Sequence, residues 1–132
     1  MYKMKIEHHI LKLKRFENTV SKLDLEDDYE TVIEDYLLAA SHLINAALHK
    51  LGKLKIDKDI KHNQLYGYLL NEQIPELGSG LKEAINNLEQ LRPSHVYGKG
   101  KNGKTAQKAK EYFEKIKNIT LPLISEKHEG KS

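Results

Sequence analysis

The apolar positions of this chain recur at helical spacing over most of its length. Between Asp28 and Leu51 they fall at Tyr29, Val32, Ile33, Tyr36, Leu37, Ala40, Leu43, Ile44, Ala47, Leu48 and Leu51, in steps of three and one. That rhythm lays a wide apolar stripe along one face of a helix. The acidic cluster Asp24, Glu26, Asp27 and Asp28 precedes the stripe, where the helix dipole favours negative charge. Lys50 closes it, and Gly52 supplies a left-handed stop. At about 1.5 Å per residue this helix is on the order of 35 Å long, enough for the spine of a bundle.

Four further segments share the period. Ile6, Ile10, Leu13, Phe16 and Val20 mark an N-terminal helix over residues 3–22. After the linker 53–57, Asp57 or Asp59 is placed to cap a third helix holding Ile60, Leu65, Tyr66, Leu69 and Leu70, weakened at Gly67. Ile74-Pro75 and Gly78-Ser79-Gly80 interrupt the pattern. It resumes with Leu81, Ala84, Ile85, Leu88 and Leu91, in a fourth helix predicted to stop at Arg92-Pro93 because proline disfavours α conformation in the residue before it. Thr105 can cap a last helix with Ala106, Ala109, Phe113 and Ile116 inward, and Pro122 ends or follows the last ordered stretch. No segment alternates with period two for long enough to make a strand. The expectation is an all-α, up-and-down bundle of four to five helices over residues 1–124, with 125–132 as a flexible, solvated tail.

Composition narrows the classes of function. With 39% hydrophobic and 31% charged residues in 132, the chain can bury the core of one domain. The absence of Cys excludes a disulfide framework, a thiol nucleophile and a thiolate zinc site. No apolar run approaches the roughly 18 residues of a membrane span. No leader-like apolar stretch opens the chain, so a soluble, cytoplasmic protein is expected. The net charge of +3 hides an asymmetry: residues 1–22 sum to +4, 23–36 to −7 and 98–118 to +5. Basic ends of this kind suit a nucleic-acid or phosphate partner, although lysines that merely solubilise helix faces produce the same sum.

Three constellations can carry chemistry. Gly98, Gly100 and Gly103 match Gly-x-Gly-x-x-Gly, but the strand that gives that fingerprint its meaning is missing. Lys99, Lys101 and Lys104 can still hold a phosphate at the N-terminus of the last helix, the alternative being a mobile linker. Among the histidines, His8 and His9 point to different helix faces, and His42 and His49 share one flank of the spine stripe. None forms the i, i+4 pair of a helical metal site, so buried or surface histidines without metal are expected, and no cofactor. The third constellation is Arg92-Pro93-Ser94-His95-Val96-Tyr97. Arg92 is suited to clamp a phosphate, His95 to move a proton near neutral pH, and Tyr97 to add a hydroxyl. Together they can activate a 2′-hydroxyl without a metal.

The order of elements from Asp28 to Ile119 resembles the small prokaryotic HEPN domains. The likeness is carried by Ala39-Ala40-Ser41-His42 and Ala46-Ala47 in the long helix, by its end at Leu51-Gly52, and by Lys61-His62 opening the next helix. Leu91-Arg92 followed by Tyr97-Gly98, a Lys-rich loop and a final helix with Ala106, Ala109, Phe113 and Ile116 complete it. The resemblance implies an all-helical partner of a minimal nucleotidyltransferase, or an RNase of a toxin–antitoxin or defence system. It further implies Arg92, His95 and Tyr97 as the catalytic set, with Lys99, Lys101, Lys104 and Lys108 steering RNA. Only Pro93 and Ser94 separate Arg92 from His95, fewer residues than the RNase members place there. The family's two-chain sites and the width of the spine stripe both lead to the expectation of a homodimer.

Overall fold

The computed structural model describes residues 2–55, 57–96 and 103–125, with side chains for 6–55, 57–92 and 103–125. Five α-helices make up the fold: α1 (Tyr2–Val20), α2 (Tyr29–Lys50), α3 (Leu65–Glu72), α4 (Gly78–Val96) and α5 (Gly103–Ser125). Short 3-10 turns at His62–Gln64 and Pro75–Leu77 lead into α3 and α4. No strand occurs among the described residues. Among the described residues the architecture is therefore all-helical with five helices, within the four to five that the periodicity predicted.

The spine is α2. Val32, Ile33, Leu37, Leu43, Ile44 and Leu48 are fully buried, and Ala39, Ala46, Asn45 and His49 are buried beside them. Helices α1, α5 and α4 pack around it, α5 also lies on α4, and α3 rests on α4. The wide stripe is thus covered by three helices of its own chain, and its width is no argument for a second copy. Helices α1 and α2 run antiparallel, since His9 stacks on His49 while Phe16 stacks on His42.

The ends of α2 are set locally. Asp24 accepts the backbone N–H groups of Glu26 and Asp27, and Asp28 accepts that of Asp24, folding the acidic loop into a tight turn ahead of the helix. At the other end Gly52 has φ 75°, Lys53 N–H donates to Leu48 O and Gly52 N–H to His49 O. This is a Schellman closure, and it turns the chain back over the end of α2.

Three boundaries differ from expectation. The third helix has no Asp cap; Gln64 precedes it, and the Asp59 carboxylate is engaged elsewhere. Helix α4 begins at Gly78 and passes through Pro93 to Val96. Arg92 lies inside this helix despite the preference that proline imposes, and its side chain pairs with Glu89 at i, i+3 and with Glu34 on α2. Helix α5 begins at Gly103, ahead of Thr105, and continues through Pro122 to Ser125, so the proline lies in its last turn and does not end it. A Cβ on Gly103 would lie 2.7 Å from Glu26 Cγ. The side chain of Glu26 therefore abuts the N-terminus of α5, the position at which the sequence suggested a phosphate. The proposed tail lies, apart from Ser125, outside the described residues.

Candidate functional site

Two histidine–carboxylate networks flank α2, and neither is contiguous in sequence. The first joins α1, the C-terminal half of α2 and the linker before α3. His9 Nε2 and His49 Nε2 lie 2.9 and 2.8 Å from the same oxygen, Asp59 Oδ1. His9 Nδ1 lies 2.8 Å from His42 Nδ1. His9 and His49 are buried, at 4% and 1% exposure, while the Asp59 side chain is 37% exposed. The cluster therefore opens to solvent on the side of the linker.

Asn45 holds that linker in place. Its Oδ1 accepts the Ile60 N–H at 2.7 Å, and its Nδ2 donates to Ile60 O at 3.0 Å and to Ser41 O at 2.9 Å. A buried amide thus pairs with one residue of loop as a neighbouring backbone would, and sets Asp59 beside the two imidazoles. This satisfies polar groups whose burial unpaired is expensive.

Burial, the neighbouring His9 and Lys12 lower His42 to about 4, with Asp59 partly opposing them, so His42 is neutral at neutral pH. Asp59 Oδ1 accepts N–H from His9 and from His49. One proton bridges His9 Nδ1 and His42 Nδ1. Nδ1 of His49 is buried with no hydrogen-bond partner among the described residues. Three rings and one carboxylate are thus linked, with His9 and His49 converging on the same oxygen.

The second network lies on the α2–α4 flank and is half-buried. His62 Nδ1 is 3.1 Å from Glu89 Oε1; Arg92 donates from a terminal nitrogen to Glu89 Oε2 at 3.4 Å and from Nε to Glu34 Oε1 at 3.0 Å. His62 and Arg92, both singled out in sequence, are brought together through Glu89. No pattern in the sequence marked Glu34 or Glu89. The side chain of His95, all of Tyr97, and Lys99 and Lys101 lie outside the described residues. Lys104 and Lys108 are exposed on the first turns of α5.

Two surface grooves among the described residues lie away from both networks. One, of about 310 Å³, is lined by Leu69, Gln73, Ile74, Pro75 and Lys82 between α3 and α4; another lies among Glu17, Tyr36, Lys110 and Phe113. Among the described residues no helix is long and apolar enough to cross a membrane. No protein-family model matches the chain, and no curated protein or solved structure is significantly similar to it.

Proposed function

We propose that the chain is a HEPN-like helical domain of RNA or nucleotide metabolism, with its polar centre at Arg92, Glu89 and His62. The observation that carries this reading is the bridging role of Glu89. It couples His62 and Arg92, two of the positions on which the resemblance rests, in one half-exposed cluster. In the RNase form, Glu89 orients the His62 ring through Nδ1, and Nε2, which bonds to no described residue, takes the proton of a 2′-hydroxyl. The resulting alkoxide attacks the adjacent phosphorus, the P–O5′ bond breaks and the 5′-oxygen takes a proton from water, and Arg92 holds the phosphate in exchange for Glu34. The roles of His95 and Tyr97 rest on the resemblance alone, and Lys104 and Lys108, with Lys99 and Lys101, would steer the strand. A homodimer would present two such centres.

A second reading has an observation of its own. Glu34 and Glu89 together place two carboxylates on one guanidinium, an excess of negative charge that opposes phosphate. This favours a non-catalytic partner of a nucleotidyltransferase. The test is a cleavage assay on single-stranded RNA. In the RNase reading, activity survives chelator, fails on a 2′-deoxy substrate, is abolished by His62→Ala and by Arg92→Ala, and rises in Glu34→Gln. Wild-type protein that cleaves nothing but forms a stoichiometric complex with a minimal nucleotidyltransferase establishes the partner reading instead.

A further inference from the structure

We propose that His9, His49 and Asp59 form a binding site for a divalent transition-metal ion of the zinc type, independent of the Arg92 centre. One donor atom from each residue lies within 4.8 Å of the other two. Tetrahedral zinc with bonds near 2.0–2.1 Å holds its ligand atoms about 3.4 Å apart, so shifts of about an ångström or less bring this set to bonding geometry. Two imidazole nitrogens and one carboxylate select a borderline-soft ion over magnesium or calcium, which prefer oxygen alone.

The surroundings match what such a site requires. His9 and His49 project from different helices, α1 and α2, packed as one core, so their separation is fixed by the fold and does not depend on the ion. Asn45 positions the third ligand by pinning Ile60 to α2. His42 supplies the outer-shell acceptor: with Nε2 of His9 on a metal, its Nδ1 carries the proton and donates to His42 Nδ1 at the observed 2.8 Å. The exposed flank of Asp59 is an entry path and leaves a fourth position for water.

With the ion on Nε2, His9 and His49 each keep one proton, on Nδ1, and any proton held on Nε2 is released on binding. His49 Nδ1–H then has no acceptor among the described residues, which sets the affinity below that of a structural zinc site with a complete outer shell.

The experiment titrates the chelator-treated full chain with Co²⁺ alone and then with Zn²⁺ alone. Expected are one equivalent of Co²⁺ with the visible absorption of tetrahedral coordination, displacement by Zn²⁺, and a Zn²⁺-dependent rise in Tm. Asp59→Asn, nearly isosteric and partly exposed, weakens binding about 100-fold or more. Glu89→Gln, which alters the other histidine–carboxylate cluster, leaves binding unchanged. In wild-type protein, Zn²⁺ moves the imidazole nitrogen resonances of His9, His42 and His49. Absence of a cobalt band at tenfold excess overturns the proposal. So does one-to-one binding that Asp59→Asn leaves intact, or nitrogen shifts confined to other histidines. RNA cleavage is not read in any of these measurements, so their failure and that of the RNase reading are separate outcomes.

Discussion

The two networks use the same residue types to different ends. Around Asp59, three imidazoles and a carboxylate are gathered at the C-terminal half of α2, with two of the rings at the level of the core. Around Glu89, an imidazole, a guanidinium and two carboxylates lie half-exposed on the flank of α2 and α4. The first has ring nitrogens that converge on one oxygen and a buried amide that fixes the loop carrying it. The second is a chain of ion pairs in which water shares. Burial makes the first cluster specific in geometry and costly to break; exposure makes the second cheap to break and open to exchange with a ligand. Ion pairs alone would not rank the first above the second; burial does.

The largest expected effect falls on what both clusters share. Ile44 is fully buried on α2, the helix that contributes to both networks, and Ile44→Ala should cost about 2–5 kcal/mol through a cavity in the spine. Urea denaturation measures it, and a loss below about 0.5 kcal/mol would mean that α2 is not the spine. Asn45→Ala separates the clusters. It should cost about 1–3 kcal/mol by leaving the Ile60 backbone unpaired, and should shift the ring signals of His42 and His49 without moving those of His62. Equal changes at His62 would show that the networks are coupled through α2.

The pH dependence is next in size. His42 is held near 4 in the fold against about 6.5 in the unfolded chain, so between those values the unfolded state binds more protons. Stability should therefore fall as pH drops from about 6.5 to about 4, and should not depend on this ring above 6.5. For a half-buried ring screened by solvent the loss is on the order of 1–2 kcal/mol. His42→Gln should flatten that part of the profile in thermal melts across pH. The smallest effect is Glu34→Gln, expected within about 1 kcal/mol, because the pair with Arg92 is half-exposed. A cost above about 3 kcal/mol would place the second network with the first as a buried structural element.

Much of the fold was legible because its determinants are local. The stripe from Tyr29 to Leu48, the acidic turn before it and the glycine after it act over a few residues, and the helix appears with nearly the bounds they imply. Where local preference met a distant partner, the partner prevailed. Asp59 has the chemistry of an N-cap, but its carboxylate was taken by imidazoles from α1 and α2. Arg92 precedes a proline, yet it lies inside α4, where its side chain meets Glu34 and Glu89.

The candidate sites divide in the same way. His42 and His49 on one flank of α2 follow from the helical period, and Arg92 and His62 were marked by pattern. His9 could not be joined to them by spacing, since its neighbours in space are set by how α1 lies against α2. The sequence by itself determined the helices, their apolar faces and the direction reversal at Gly52. The tertiary structure alone decided that His9, His49 and Asp59 share an oxygen and that Glu89 links His62 to Arg92. Hydrophobic periodicity specifies which face of a helix is buried, whereas the meeting of polar groups depends on the angle and register at which buried faces pack.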